Sequence, residues 1–483
     1  MSDRPAPPSA ADAPPAVTST RQFLRLFTSV MLPMFMAAID QTLLATATPI
    51  IAAELGGLRD TSWIAVGYLL AAAATTPMYG RFGDRFGRRN SLLVALGIFT
   101  AGSVACAAAQ SLGMLVAARV LQGVGGGGLM TLAQALIGEL VTPRERARFQ
   151  GYFAAMFSLA SIGGPVIGGL VVTHASWRWL FLINVPFAAL AVWRLVALPA
   201  GRRNDDVGTH DYGGIVLFSL AIVGVLYWLS SAGHRFPWTS LHSLTLAAVS
   251  AMAFIALVSH ERKHPKPFLP LELLRLPAIR YCALTTALFA ACMFAMVFFL
   301  PIYLQLGHGT GAAASGLLLL PITGGMVTGS TISGRVVSRT GTPRGVPVFG
   351  MGLSSAGLLV LGVVAANPAI VAVLGFVVGL GFGTVMPTMQ VTVQTVAGRE
   401  RLGAATSIVS LARSLGAATG TALFGALVFA LMPQTDLAHL AEHARSAAPE
   451  TVLPAFHVAF LVAAVVAALS ALAASRVPRV ELK

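Results

Sequence analysis

Long runs of apolar residues dominate the chain, and polar or charged residues are concentrated in short segments between them. Each run has about 20 residues, which is the length of an α-helix that spans the hydrocarbon core of a bilayer. The runs lack the alternating polar faces of helices in a large soluble core, so they predict membrane-spanning helices. Fourteen spans are predicted, at residues 26–50, 61–79, 91–110, 112–137, 147–172, 179–198, 213–232, 241–259, 280–305, 312–333, 345–366, 368–396, 402–432 and 452–475.

The segment at residues 80–90 is strongly charged although it lies between two apolar spans. It contains four arginines and Asp84, and its glycines predict a short, rigid loop. A degenerate copy begins at Gly334, keeps glycine, arginine, arginine and glycine at the same spacing, and has Ser338 in place of Asp84. A charged hinge that recurs between membrane helices predicts a transporter built from two related halves.

Composition supports the membrane prediction, and the distribution of charge gives an orientation. The chain is 56% hydrophobic and 10% charged, whereas soluble domains are about 25% charged. A net charge of +14 would suggest nucleic acid for a soluble protein, but here 26 of the 32 Lys and Arg residues fall on one side of the predicted spans. The positive-inside bias therefore predicts a multi-pass protein of the cell (inner) membrane with both termini cytoplasmic and no nucleic-acid partner.

Cofactor, metal and enzyme motifs are not found in the sequence. The pattern at Gly379, Gly381 and Gly383 follows no strand and is interpreted as helix packing, and no phosphate-binding GxxxxGK[ST] motif occurs. The three cysteines lie inside spans without a zinc spacing, and the histidines, apart from His457, are assigned to loops. No connection exceeds about 20 residues, so we expect no catalytic domain, no cofactor and no metal.

Three charged residues fall inside predicted spans, where insertion of each costs at least about 2.5–3.5 kcal/mol. Asp40 and Arg119 lie about 15 and 10 Å inward from the outer ends of their spans, so the two side chains can meet directly or through water. Two interpretations stay open: a proton site, or a static ion pair that holds two helices together. Arg413 has no acidic partner in reach, and either binds helix-end carbonyls or attracts anionic groups.

The fifth predicted span contains Gly164, Pro165, Gly168 and Gly169. Static packing of small residues and a flexing helix at a moving interface both remain possible interpretations. Polar residues in later spans are candidates for a substrate cavity, because specificity in apolar cavities comes from shape and a few polar groups. The candidates, with Arg413, are Gln305, Thr388, Gln390 and Gln394.

Together these segments resemble the motifs of the major facilitator superfamily. Residues 80–89 are similar to its loop signature, residues 119–127 to its fourth-helix motif, and residues 164–169 to its antiporter motif, where Ala160 stands in place of an earlier glycine. Residues 40–49 and 177–186 resemble signatures of the fourteen-helix drug:proton antiporter branch. The resemblance extends from about residue 22 to residue 475.

The resemblance implies an all-α membrane fold of two six-helix bundles and an inserted helix pair. It also implies that Asp84 braces a cytoplasmic gate against a helix of the second bundle, within a signature that includes Gly80, Arg85, Gly87 and Arg88. The segments expected are a disordered cytoplasmic tail (1–21), an N-terminal bundle (22–200), the inserted pair with linkers (201–275), a C-terminal bundle (276–476) and a cytoplasmic tail (477–483).

The function expected is proton-coupled efflux of amphipathic small molecules by alternating access, with Asp40 and Arg119 as the coupling pair. The alternative is a dedicated exporter of a lipid, siderophore or other metabolite on the same fold. A membrane enzyme or sensor would need converging His, Asp or Glu ligands, which the sequence does not indicate. The partners expected are the substrate, protons and the lipid bilayer, for a monomer; a periplasmic adaptor protein is possible but not indicated.

Overall fold

Helices form the regular structure of the part of the chain that the computed structural model describes. This part comprises residues 20–55, 62–198, 211–231, 236–264, 272–310, 315, 317–364, 367–398, 401–431 and 449–481. The helices are α1 (Thr20–Leu55), α2 (Ser62–Phe86), α3 (Arg88–Ala107), α4 (Leu112–Leu140), α5 (Pro143–His174), α6 (Trp179–Leu182), α7 (Asn184–Val196), α8 (Tyr212–Ser231), α9 (Leu241–Lys263), α10 (Glu272–Arg275), α11 (Pro277–His308), α12 (Leu320–Thr340), α13 (Gly345–Val363), α14 (Pro368–Gly383), α15 (Val385–Ala397), α16 (Leu402–Leu431) and α17 (Pro449–Ser475).

Eleven segments among the described residues are long and apolar enough to cross a membrane, which confirms a multi-pass helical fold. Two of them contain a helix break, between α6 and α7 and between α14 and α15. The predicted count of fourteen spans is not confirmed, because α2, α5 and α12 are not among the eleven. These three helices carry the glycines, hydroxyl residues and arginines of the sequence motifs, which lower their hydropathy.

The loop predicted at residues 80–90 is wrong in its first half, since α2 continues to Phe86. The chain leaves the α2 helix at Gly87, whose φ of 87° lies in a region that residues with a Cβ atom rarely adopt. Gly341, at the equivalent position of the degenerate copy, has φ 68° and ends α12. The repeated glycine therefore has a positive φ in both copies, although only Gly341 has the left-handed αL conformation.

The three largest apolar cores each lie within one half of the molecule. Two lie in the first half, one of which includes Leu92, Phe99 and Leu132, all fully buried, and the other Trp177 and Phe181. The third lies in the second half and includes Phe289 and Phe382. The helices α8 and α9 pack on each other, and α8 also packs against α2 and α16. The two halves meet through α2 with α16 and through α5 with α12.

Glycines in α4 allow its backbone to touch the backbones of both α2 and α3. A Cβ on Gly123 would lie 2.4 Å from the carbonyl oxygen of Tyr68, and one on Gly127 would lie 2.4 Å from that of Ala72. On the other side, a Cβ on Gly125 would lie 2.4 Å from the backbone nitrogen of Phe99. No larger residue fits at these positions, so α2, α3 and α4 are packed directly against one another.

Candidate functional site

Asp40 and Arg119 form a buried ion pair inside the first half. The Nη1 atom of Arg119 is 2.6 Å from Oδ2 of Asp40, and the side chains are only 1% and 2% exposed. Each charge alone would be costly at this depth, so the pair and its further hydrogen bonds keep both charges in place.

Side-chain amides complete the coordination of the Asp40 carboxylate. Gln122 and Asn184 donate to its Oδ1 atom over 2.8 and 3.1 Å. Both amides also donate to the Ser103 hydroxyl, and Gln122 Oε1 accepts from Arg119 Nη1 over 2.6 Å. Asp40 therefore has three donors around it, and a movement of α1, α4 or α7 changes its surroundings.

Two aromatic rings and a backbone carbonyl hold the Arg119 guanidinium. Its Cζ atom lies 4.4 Å from the ring centroid of Tyr68 and 5.9 Å from that of Phe181, and its Nε donates to the carbonyl of Ile64 over 3.1 Å. The Tyr68 ring reaches this position because Gly126 has no side chain: a Cβ there would lie 2.3 Å from the Tyr68 hydroxyl.

The glycine motif of α5 lies against α1 two residues after Asp40. The Thr42 hydroxyl donates to the carbonyl of Ala160 over 2.9 Å, and a Cβ on Gly164 would lie 2.0 Å from Thr42 Oγ1. Gly168 is buried, whereas Gly169 has nothing within 4 Å of its Cβ position. Close packing therefore explains Gly164 but not Gly169, and the side chain of Pro165 lies outside the described part.

A pair of hydrogen bonds joins Asp84 to the start of α16 in the second half. Its Oδ1 and Oδ2 atoms accept from the backbone N–H groups of Gly403 and Ala404 over 3.0 and 3.1 Å. These N–H groups have no partner within the helix, and the helix dipole favours a negative charge there. This is the contact that the resemblance implies for Asp84, and its role as a latch stays a prediction.

Arg88 links Asp84 to α4. It donates to Asp84 Oδ1 from Nη2 and to Glu139 Oε2 from Nη1, each over 2.7 Å. The Arg88 and Asp84 side chains are only 8% and 5% exposed, so this network is largely shielded from water.

At the same end of the molecule, the backbones of the two halves approach each other closely. A Cβ on Gly80 would lie 2.1 Å from Ser407 Oγ and 2.7 Å from the Gly403 carbonyl oxygen. A Cβ on Gly403 would in turn lie 2.2 Å from the Gly80 carbonyl oxygen. Gln394 adds a long hydrogen bond of 3.5 Å to the carbonyl of Gln134. This end of the molecule is therefore closed.

We expect Gly80→Val to prevent this closed arrangement, because the new side chain must push α16 away. The closed arrangement can be monitored by the yield of a cross-link between cysteines placed at Gln134 and Gln394. This yield should fall to less than about a tenth, because destabilising the closed arrangement by about 1.4 kcal/mol already lowers its equilibrium constant tenfold. Gly97→Val is the control, because a Cβ at Gly97 meets nothing within 4 Å. Equal cross-linking in both variants would show that the halves do not depend on this contact.

Glu54 lies at the C-terminal end of α1 and contacts the segment that precedes α6. Its carboxylate accepts from Arg178 Nη1 over 2.6 Å and from the Trp177 indole N–H over 2.7 Å. These two hydrogen bonds hold the pKa of Glu54 below its ordinary value. The contact anchors the segment that leads to Asn184, whose amide donates to Asp40.

Three of the predicted cavity residues, Thr388, Gln390 and Gln394, lie buried on α15, and their role in a substrate cavity stays a prediction. Thr388 donates to the carbonyl of Thr384 in its own helix region, and Gln394 donates to the Thr406 hydroxyl over 3.0 Å. Gln390 is fully buried, and neither of its side-chain polar atoms has a hydrogen-bond partner among the described residues. Arg413 is half-buried with no ion-pair partner among the described residues, and the side chain of Gln305 lies outside them.

The sequence missed three polar residues that surround Asp40. Gln122 lies three residues after Arg119, so the two side chains share one helix face, and this spacing was a usable signal. Asn184 lies within the segment at residues 177–186 that carried the resemblance. Ser103 had no signal, because a single serine in an apolar span is common.

A helical fold in two halves, embedded in a membrane and closed at one end, defines a membrane transporter. The family model of the Major Facilitator Superfamily matches residues 30–421 and, in a second match, residues 323–482. The chain belongs to the Major Facilitator Superfamily, and it is a multi-pass membrane transporter that acts on small substrates.

Relatives and solved structures agree with this membership. The chain is 33% identical over 405 residues to the multidrug transporter protein MdtP of Bacillus subtilis, covering 83% of this chain and 75% of the relative. It is 30% identical over 401 residues to multidrug resistance protein 3 of the same organism, covering 82% and 78%. The proton:xylose symporter XylE has a TM-score of 0.66 at 14% identity, covering 95% and 97%, which shows the fold alone.

Proposed function

We propose that the protein exports amphipathic small molecules, including drugs, across the cell membrane in exchange for protons. The observation that carries this proposal is the buried Asp40 carboxylate, held by Arg119, Gln122 and Asn184 inside an apolar half. The class of substrate is supported by the multidrug relatives. Antiport and proton coupling rest on the chemistry of the carboxylate.

Protonation of Asp40 would change the forces on three helices at once. An ionised carboxylate accepts strong hydrogen bonds from Arg119 and the two amides, whereas a protonated one attracts the guanidinium far less. Because the carboxylate is 2% exposed, proton exchange requires that α1 and α4 move relative to each other. A proton therefore favours one arrangement of the halves, and a bound substrate favours the other.

The closed end is assigned to the cytoplasmic side by the basic residues around Arg88. Asp84 holds this end shut, so the conformation is the one in which substrate leaves and a proton enters from outside. Breaking the contacts of Asp84 with Gly403 and Ala404 then gives the conformation that receives substrate from the cytoplasm. Both termini lie in the cytoplasm in this assignment.

A dedicated exporter of a lipid, siderophore or other metabolite is the second candidate. Arg413 favours it, because a half-buried arginine without an ion-pair partner in the described part attracts an anionic group. Resistance profiling against dyes and antibiotics separates the two functions. A dedicated exporter confers no multidrug resistance, whereas a multidrug exporter protects against several unrelated compounds.

Uptake of a cationic dye into inverted membrane vesicles tests the proposed coupling. We expect accumulation that depends on an inwardly acidic pH gradient and falls to the level of empty vesicles when an uncoupler is added. The control is the same vesicle preparation without the protein. Accumulation that persists unchanged after the uncoupler would contradict proton coupling.

A further inference from the structure

The inserted helix pair carries a cluster of metal-ligating side chains at one end. His260 lies in the last turn of α9, His264 follows directly after the helix, and Asp211 precedes α8. One ligand atom from each residue lies within 4.8 Å of those of the other two. The His260 Nε2 and Asp211 Oδ1 atoms are 2.7 Å apart, and the two imidazoles are stacked with centroids 5.3 Å apart.

Helix capping explains only part of this cluster. Asp211 Oδ1 accepts from the backbone N–H of Gly214 over 2.8 Å, so Asp211 caps the start of α8. The Oδ1 atom of Asp211 also gives the His260 ring a hydrogen-bond partner at Nε2. Neither role requires a second histidine four residues further on, on the same side of the helix, stacked against the first.

The charges around the cluster are balanced, and the cluster is accessible. Glu261 is 5% exposed and lies beside Gly214, as Asp211 does. Arg81 interacts electrostatically with both Asp211 and Glu261, and Lys263 lies nearby. A shallow, open pocket lined by Ser259, His260, Lys263 and His264 reaches the imidazoles. An ion can therefore reach the two imidazoles from this pocket, and the buried Asp211 lies behind His260 at 2.7 Å.

We infer that Asp211, His260 and His264 bind a divalent transition-metal ion, for which Zn²⁺ is the best match. Two imidazole nitrogens and one carboxylate oxygen form a borderline donor set that suits Zn²⁺ better than Mg²⁺ or Ca²⁺. In a tetrahedral site, bonds of about 2.0–2.2 Å place the ligand atoms roughly 3.3 Å apart. The present spacing of up to 4.8 Å needs only side-chain rotation, and water fills the fourth position.

A metal ion here ties the start of α8 to the end of α9. Arg81 of α2, which interacts with Asp211 and Glu261, lies three residues before the Asp84 latch. The metal site therefore lies beside α2, the helix that carries Asp84 and packs against α8. The inference does not depend on the direction of transport or on proton coupling.

Titration of the purified, untagged, metal-stripped full-length protein with Zn²⁺ alone tests the site. Isothermal titration calorimetry should show one ion per chain, and thermal unfolding should move to higher temperature with rising Zn²⁺. We expect His260→Ala/His264→Ala to weaken binding at least tenfold and to remove the thermal shift. Asp211→Asn keeps a capping side chain but should also weaken binding, because it loses the charge.

The control is the double variant His174→Ala/His242→Ala, whose histidines are exposed and lie outside the cluster. It should bind Zn²⁺ like the unmodified protein. If the double cluster variant does not fold, His264→Gln alone serves, because His264 is half-buried after the end of α9. Absence of a stoichiometric Zn²⁺ site, or equal affinity in cluster and control variants, would overturn the inference.

Discussion

Asp40→Asn is expected to abolish proton-driven export while the protein is still produced and inserted into the membrane. The substitution preserves the shape of the side chain but removes the group that takes up the proton. It also leaves the Arg119 charge buried without its carboxylate, which costs about 3–5 kcal/mol when one partner of a buried pair is removed. Loss of transport by this variant alone therefore does not separate a proton site from a static ion pair.

A matched double variant, Asp40→Asn/Arg119→Gln, separates these two interpretations. It removes both charges, so thermal stability should recover relative to the single variant, as mutation of the neighbouring partners is not additive. If Asp40 is the proton site, proton-driven dye export stays at the background level in the stabilised double variant. Recovery of proton-driven export together with stability would instead identify a structural ion pair.

Asp84→Asn should slow turnover without changing which substrates are recognised. The carboxylate accepts from two N–H groups of α16 and from Arg88, and hydrogen bonds to charged groups contribute about 1.5–3 kcal/mol each. Loss of one such contribution shifts the balance between closed and open arrangements by about 10- to 100-fold. The cross-link between positions Gln134 and Gln394 should decrease accordingly.

The control for this prediction is Glu139→Gln, since the Glu139 side chain is 31% exposed and forms its ion pair with Arg88 and not with α16. We expect a much smaller change in turnover for it, as partly exposed ion pairs contribute about 0–1 kcal/mol. Export rates are compared over a panel of unrelated compounds. A changed substrate range in Asp84→Asn would place the residue in the substrate site and contradict its assignment to the gate.

The fold could be predicted from the sequence because it is encoded mainly in short stretches of consecutive residues. Apolar runs of helical length and the repeated charged segment are visible without tertiary information, and they predicted the helical membrane fold of two halves. The end of α2 was misjudged, because Gly80 and Gly83 suggested a turn. In the structure these glycines accommodate contacts with Ser407 and Leu132, and a tertiary contact cannot be inferred from composition.

The polar site was predictable only where the depth of each residue in its own predicted span was enough to show that two side chains could meet. Similar depths placed Asp40 and Arg119 within reach of each other, and the structure brings them together at 2.6 Å. The amide of Asn184 joins them from another helix, 144 positions away in the chain, so its approach depended on packing. The cluster of Asp211 with His260 was hidden for the same reason, although the spacing of His260 and His264 was visible.

The backbone contacts of α4 have a consequence for the proposed cycle. At Gly123 and Gly127 against α2, and at Gly125 against α3, no side chain separates the backbones of these helices. We therefore expect the three helices to move as one rigid unit, with Arg119 near one end and Asp84 near the other. In the proposed cycle, a movement of this unit on protonation of Asp40 also displaces Asp84 from α16.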